Sequence, residues 1–180
     1  MNKPAHLMGG LTAGIAASKY IAPTISENGI LVGIVGMGAV LCGAILGSLL
    51  PDIDHRHSYI GRKLKLASFI ISKTLGHRSV VHAPIVIFAF SAILYIFSNG
   101  LTGTLKVLSN SFVIGLSFGM WSHLLLDMMT RRGIPFLYPF SKKSFRIANF
   151  RGGGIGDTIA STGCIVLIVL MLLDFLKSSL

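Results

Sequence analysis

The chain has 180 residues, of which 52% are hydrophobic and only 12% are charged, and its formal net charge is +10. Soluble domains carry about 25% charged residues, so this composition excludes an ordinary soluble protein and predicts an integral membrane protein with one domain over residues 1–180. The two cysteines, Cys42 and Cys164, lie inside apolar segments and form neither a zinc-type pair nor a disulfide framework.

Five apolar segments follow one another along the chain. The first, residues 7–22, is short and rich in glycine, so we expect a crossing or a tilted or re-entrant helix, and no cleavable signal peptide. The other four cover residues 30–50, 80–97, 108–129 and 158–176. The shorter pieces between them are a turn over 23–29, an amphipathic helix over Leu64–Leu75 that suits the membrane interface, and a connection over 99–106. The sequence therefore predicts an all-α integral membrane protein, a bundle of about five transmembrane helices with helical cytoplasmic-side loops.

The basic residues concentrate in alternate loops. Six lie between the second and third apolar segments and six more between the fourth and fifth, whereas the connections near 23–29 and 99–109 carry only Lys106. This is the positive-inside pattern of a multi-pass protein, and it predicts a bacterial inner-membrane protein with both basic loops in the cytoplasm. Such loops also attract anionic lipids, so we expect membrane lipids rather than nucleic acid as partners.

Ionisable residues gather beside the segment ends that this topology places on the cytoplasmic side. They include all six histidines and four of the six acidic residues: His6, Asp52, Asp54, His55, His57, His77, His82, His123, Asp127 and Asp157. Charged groups near hydrocarbon are costly, and a bound cation would compensate because imidazole and carboxylate are metal ligands. The pattern predicts a metal site with its opening toward the cytoplasm.

Two short motifs carry this prediction. His123 and Asp127 are four residues apart, so on a helix they share a face and both can reach one metal; the alternative is a hydrogen bond within the helix. Asp52 and Asp54 follow Pro51, which ends the second segment, and we expect extended backbone there, with both carboxylates on one cation or bridging two. We also expect Asp54 to act in catalysis. The alternative for this pair is ordinary turn chemistry.

The remaining candidates come from the loops and the first segment. His77 and His82 flank the entry to the third segment and can both point inward, while Arg78 between them would neutralise a substrate phosphate. His6 lies in the first turn of the opening segment. His55 and Asp157 are possible additional ligands, although N-capping of a helix explains Asp157 as well. Lys142, Lys143, Arg146 and Arg151 are candidate headgroup contacts, the two lysines also for phosphate, and topology alone explains them as well.

In this order the motifs resemble the bacterial family of membrane-bound, LexA-regulated metal-dependent hydrolases. The matching pieces are His6 followed by glycines, Leu-Pro-Asp52-Ile-Asp54-His55, His77-Arg-Ser-Val-Val-His82, His123-Leu-Leu-Leu-Asp127 and Pro139-Phe-Ser. That family is distantly similar to zinc-dependent phospholipase C and P1 nuclease, which bind a metal cluster through His and Asp. The resemblance implies ligands at His6, Asp52, His77, His82, His123 and Asp127. The family usually carries Glu after the late glycine turn, where this chain has Asp157.

Three functions fit these observations. The first is a metal-dependent hydrolase, a phosphoesterase that acts on a lipid or another membrane-proximal phosphate at the cytoplasmic interface, with two or more divalent ions; mixed His and Asp ligands suit zinc, manganese or iron. The second is a noncatalytic membrane protein with a structural metal. The third is a metal-ion transporter, which the absence of ionisable groups from the central stretches of the second and fifth segments disfavours. The sequence does not indicate the oligomeric state.

Overall fold

The computed structural model describes residues 1–26, 29–74 and 80–178, and their regular structure is almost entirely helical. Within these ranges, seven α-helices and one 3₁₀ turn follow each other in chain order. They are α1 Lys3–Ser26, α2 Ile30–Gly47, the 3₁₀ turn Leu50–Asp54, α3 Tyr59–Lys63, α4 Lys65–Thr74, α5 Pro84–Asn99, α6 Gly103–Met128 and α7 Ile155–Ser178. The loop between α6 and α7 is held by two isolated β-bridges, Thr130 with Phe150 and Ile134 with Phe145.

Helix α6 is the centre of the bundle. It packs against α1, α2 and α5, and α7 packs against α1 on the outside. The buried core accordingly lies along α6, where Leu116, Met120 and Leu124 meet Ile87 of α5. These positions recur every three or four residues, which is the spacing that places side chains on one face of a helix.

Glycines bring the backbones of α2 and α6 into direct contact. A Cβ atom added to Gly115 would lie 2.0 Å from the carbonyl oxygen of Val40, and one added to Gly119 would lie 2.1 Å from that of Ala44. Each step is one helical turn on both helices, so the contacts form a ladder. Small residues four apart are the usual means of close helix packing in membranes. Only glycine fits at these two positions of α6.

The outer surface of the bundle is apolar. The spans Ile30–Asp54 (α2 with the following 3₁₀ turn), Gly103–Met128 and Ile155–Lys177 are long and apolar enough to cross a membrane, and Pro84–Asn99 is a shorter apolar helix. Large apolar side chains such as Ile30 on α2, Phe88 on α5 and Leu170 on α7 are exposed. Their exposure costs free energy in water but not in contact with lipid. The predicted all-α membrane fold is therefore confirmed, whereas a fifth crossing by α1 stays a prediction.

Several predicted boundaries are wrong. Helix α1 continues through Pro23 to Ser26, where we expect a turn, and α6 already begins at Gly103, inside the predicted connection. The third apolar helix begins later than predicted, at Pro84, since proline suits the first helical position and its predecessor does not favour helix. The amphipathic helix is confirmed as α4, although Leu75 lies outside the described residues.

Residues 50–54 form a tight helical turn and not the extended backbone that we expect for them. Pro51 ends α2 but is compatible with the start of a 3₁₀ turn. The hydroxyl of Ser58 donates to the carbonyl oxygen of Asp52 (2.7 Å) and accepts from the backbone N–H of Gly61 (2.9 Å). Ser58 thus caps α3 and fixes the turn that carries Asp52.

Candidate metal centre

Four helix ends meet at one end of the bundle and bring five of the predicted ligands together. His6 lies in the first turn of α1, Asp52 in the 3₁₀ turn after α2, His82 directly before α5, and His123 and Asp127 near the end of α6. Two groups of donor atoms result: His6 with His123 and Asp127, and Asp52 with His82 and His123, each with its donor atoms within 4.8 Å of one another.

The closest approach of donor atoms is between the Nε2 atoms of His82 and His123, and Asp127 lies close to both. Nε2 of His123 lies 3.3 Å from Nε2 of His82, and Oδ2 of Asp127 lies 3.6 Å from each of these nitrogens. Oδ1 of Asp52 lies 3.9 Å from Nε2 of His123 and 4.0 Å from Nε2 of His82. Tetrahedral ligands at zinc distances are about 3.3 Å apart. A cation bound by the two Nε2 atoms would therefore lie within reach of either carboxylate after small adjustments.

The other nitrogen of each ring faces an acceptor. Nδ1 of His123 lies 2.7 Å from the carbonyl oxygen of Ser48, and Nδ1 of His82 lies 3.3 Å from Oδ2 of Asp54. An N–H on Nδ1 leaves the lone pair on Nε2, where the donors converge. Outer partners of this kind orient metal-binding histidines in many proteins.

Asp54 consequently differs from its sequence prediction as a ligand and catalytic residue. It is buried and faces the far side of the His82 ring, and neither group of donors in the described residues includes it. The turn geometry explains this placement. In an extended chain Asp52 and Asp54 would point the same way, whereas three residues per turn separate them by about 120°. The position of Asp54 fits orientation of His82 better than contact with a metal or substrate.

Asp127 links the two groups of donors. Its Oδ2 faces His82 and His123, whereas its Oδ1 lies 3.6 Å from Nε2 of His6 and 2.6 Å from the amino group of Met1. The His6 ring stacks on that of His123, with centroids 3.8 Å apart and planes inclined by 12°. Carboxylates that bridge paired cations have this arrangement, in which one oxygen is directed toward each of two donor groups.

Burial makes the composition of this cluster informative. The side chains of His6, His82, His123 and Asp127 are fully buried, and Asp52 alone among the five is partly exposed, at 25%. Buried carboxylates require charged or hydrogen-bonding partners at close range. Imidazoles, an amino group and a divalent cation all meet that need, so the donor set fits a metal and its open edge lies at Asp52.

The other predicted site residues lie elsewhere. Asp157, in the first turn of α7, accepts hydrogen bonds from the backbone N–H groups of Gly153 (2.7 Å) and Asn2 (3.3 Å), so it ties α7 to the start of α1 and does not join either described donor group. His55 is half-buried and packs edge-on against His57. Lys142 and Lys143 are exposed. His77 and Arg78 lie outside the described residues.

The sequence predicts Arg151 as a headgroup contact but does not predict the basic cavity beside the centre to which it belongs. It encloses about 450 Å³, and Arg131, Arg132, Arg151 and Thr130 contribute to its wall together with Met1. Thr130 joins this wall to the cluster, since its backbone N–H and hydroxyl both donate to the carbonyl oxygen of Asp127 (3.0 and 2.8 Å). The only sequence signal is the arginine pair three residues beyond α6, which positive-inside topology explains equally well.

A family model described as the YdjM inner membrane protein matches residues 1–176. The chain belongs to the YdjM inner membrane protein family. Inner membrane protein YdjM of Escherichia coli strain K12 is 38% identical over 105 residues, which are 56% of this chain and 49% of that protein. The match thus spans about half the length of that relative. The uncharacterized protein YvsG of Bacillus subtilis strain 168 is 33% identical over 141 residues, 77% of this chain and 74% of YvsG.

Membership of the YdjM family confirms a bacterial inner-membrane protein, as the loop charges predict. The names of these relatives state no reaction, so the hydrolase function and the similarity to phospholipase C and P1 nuclease stay predictions. No solved structure matches the chain. The chemistry must therefore be argued from the geometry of the cluster.

Proposed function

We propose that this YdjM-family protein is a metal-dependent phosphoesterase that acts on a membrane-proximal phosphate at the cytoplasmic interface. The observation that carries the proposal is the pair of imidazole Nε2 atoms 3.3 Å apart, with a carboxylate oxygen of Asp127 and one of Asp52 each 3.6–4.0 Å from both nitrogens. His82, His123, Asp52 and Asp127 would hold one divalent ion, and His6 with the second oxygen of Asp127 would contribute to another. Zinc, manganese and iron suit these donors.

Each part of the site then has a task. Divalent ions in such centres activate water and neutralise the charge of a phosphate. The carbonyl oxygen of Ser48 holds the His123 ring in the tautomer that presents Nε2 to the cation, and Asp54, with Oδ2 3.3 Å from Nδ1 of His82, would favour the same tautomer there. Asp52 is the partly exposed member, so substrate and water would approach from its side.

The arginine-lined cavity would bind phosphate oxygens. Arg131, Arg132 and Arg151 bring positive charge to its wall, and guanidinium groups suit phosphate because they donate two parallel hydrogen bonds. The backbone on this side is ordered by hydrogen bonds between Arg131 N–H and Phe150 O (3.0 Å) and between Arg131 Nε and Asn149 O (3.3 Å). This role belongs to the arginines in place of Lys142 and Lys143, which are outside the cavity wall.

The test combines metal analysis with hydrolysis by the purified protein in detergent. We expect bound divalent metal and turnover of at least one member of a panel of phosphomonoesters and phosphodiesters. Asp52→Asn and His123→Gln should lower metal content and turnover together, whereas His57→Ala, a histidine outside both donor groups, should leave both unchanged. Stoichiometric metal without turnover over the whole panel would refute the enzymatic proposal.

One alternative is favoured by a specific observation. Four of the five donors are fully buried, and closed sites with all positions filled by protein are typical of structural metals. A structural metal predicts full metal content, no hydrolysis, and loss of thermal stability on chelation. The panel above therefore separates the two functions.

The cytoplasmic orientation of the site has its own test. Alkaline phosphatase, which is active only outside the cytoplasm, should be active when fused at residue 101, between α5 and α6, and inactive when fused at residue 145, in the second basic loop. The reverse result would place the metal centre on the other face of the membrane.

A further inference from the structure

An apolar cavity of about 260 Å³ shares its walls with the candidate metal centre. Pro51 and Ile53 of its wall flank Asp52 in the 3₁₀ turn, and Val81 directly precedes His82. Met120, also in the wall, lies three residues before His123, hence on the same face of α6. Cavity-lining residues thus alternate with candidate metal-binding residues along the same backbone segments, so the cavity and the cluster are neighbours.

The cavity has the chemistry of a hydrocarbon site. Its lining consists only of apolar side chains, so it offers no partner to an ion, a phosphate or an ordered water. A smaller aliphatic cavity of about 150 Å³ in another protein takes up benzene. The space here is therefore enough for several carbons of an alkyl chain.

The wall of the cavity includes exposed apolar residues of an amphipathic helix and of an apolar helix. Ile71 of α4 and Phe90 of α5 contribute to the wall while remaining partly or largely exposed. On α4, Leu66 and Ile70 expose apolar surface, and the guanidinium of Arg56 lies 4.4 Å from the ring centroid of Phe69. An amphipathic helix with basic residues beside its apolar face is typical of the headgroup boundary.

We infer that the substrate is a phosphate-bearing membrane lipid, one hydrocarbon chain of which enters this apolar cavity while its phosphate reaches the metal centre. This inference rests on the proposed function and specifies its substrate class. A chain in the cavity places the headgroup beside Asp52, the open edge of the cluster. The cavity thus selects for phosphates that carry an alkyl chain over soluble phosphates.

Matched tryptophan variants test this inference by activity. Val86→Trp and Ile71→Trp fill the cavity, whereas Ile85→Trp and Ile70→Trp place the same ring on the exposed side of the same helices. The probes are dioleoyl phosphatidic acid in mixed micelles and p-nitrophenyl phosphate, with phosphatidylglycerol and bis(p-nitrophenyl) phosphate as the diester pair. The two cavity-filling variants should lower kcat/KM for the lipid at least about tenfold. Exclusion of two methylene groups of the lipid chain from the cavity accounts for that factor. Turnover of the soluble ester and metal content should stay within twofold.

Photolabelling tests the same inference without turnover. Phosphatidic acid with a diazirine near its chain end, in nanodiscs, should label the segments around residues 50–53 and 81–90 in the wild type. Val86→Trp should reduce that labelling, and Ile85→Trp should not. Labelling confined to the outer surface of α7, or equal labelling in both variants, would overturn the inference even if soluble esters are hydrolysed. Specific labelling without hydrolysis of any ester would refute the enzymatic proposal and leave the cavity as a lipid site.

Discussion

Substitution of Gly119 by alanine tests whether the close contact between α2 and α6 positions the metal centre. The added Cβ would lie 2.1 Å from the carbonyl oxygen of Ala44, whereas the shortest ordinary carbon–oxygen contacts are about 3.3 Å. The helices must therefore separate locally by about 1 Å. One turn further along both helices, Nδ1 of His123 meets the carbonyl oxygen of Ser48 at 2.7 Å, and this contact is the next rung of the ladder.

The expected losses of stability and of metal affinity follow from that displacement. Overpacking of this kind costs about 1–3 kcal/mol, which corresponds to a fall in Tm of roughly 2–12 °C for a chain of this size. A donor–acceptor distance of 2.7 Å that grows by about 1 Å is no longer a hydrogen bond. Loss of an outer partner of a metal-binding histidine typically lowers metal affinity about 10- to 100-fold.

The assay measures thermal unfolding and metal affinity of the purified protein in one detergent. Gly38→Ala in α2 is the matched control, because nothing lies within 4 Å of its added Cβ and alanine favours helix over glycine by about 1 kcal/mol. Its Tm should be unchanged or higher. A Gly119→Ala protein with a lower Tm and normal metal affinity would show that packing and site geometry are independent. Normal values of both would refute the contact itself.

Three further predictions concern single interactions. Asp54→Ala should lower metal affinity about 10- to 100-fold while metal still binds at saturation, since it removes the acceptor next to Nδ1 of His82; isothermal titration should detect this, and wild-type affinity would argue against the orienting role. Chelation should lower Tm, and zinc at a hundred times its dissociation constant should restore about 2.7 kcal/mol, with no such effect in His123→Gln. Asp174→Asn removes an ion pair with Lys19 in which both side chains are more than half exposed, so Tm should not change measurably.

The spacing rules predicted the parts of the centre that are local in the chain. His123 and Asp127 share a face because they are four residues apart on a helix, and their Nε2 and Oδ2 atoms are indeed 3.6 Å apart. The alternation of basic loops predicted which segment ends lie on the same side of the membrane. His6, Asp52 and His82 do lie at the same end of the bundle as His123 of α6. Both signals depend only on helical periodicity and on the direction of successive crossings.

The remaining features depend on contacts that no local pattern encodes. The backbone conformation at Asp54 decides which ring nitrogen it faces, and a Pro-Asp-Ile-Asp sequence is compatible with either an extended segment or a turn. Asp157 accepts a hydrogen bond from a residue 155 positions away. Arg131 and Arg151 line one cavity only because the bridge between Thr130 and Phe150 folds the late loop back on itself.

Access to the centre decides between a catalytic and a structural metal. Cations held by the two donor groups would join α1, the 3₁₀ turn after α2, the start of α5 and the end of α6, so their removal would destabilise the fold under either function. Thermal shifts alone therefore do not distinguish the two. The distinction lies at Asp52, because it is the one partly exposed donor and its neighbours in the 3₁₀ turn line the apolar cavity. A phosphate that enters beside Asp52 would meet the cation at that edge, and a lipid chain in the cavity would hold it there. Lipid-selective turnover that depends on the cavity is thus an observation that a purely structural metal does not predict.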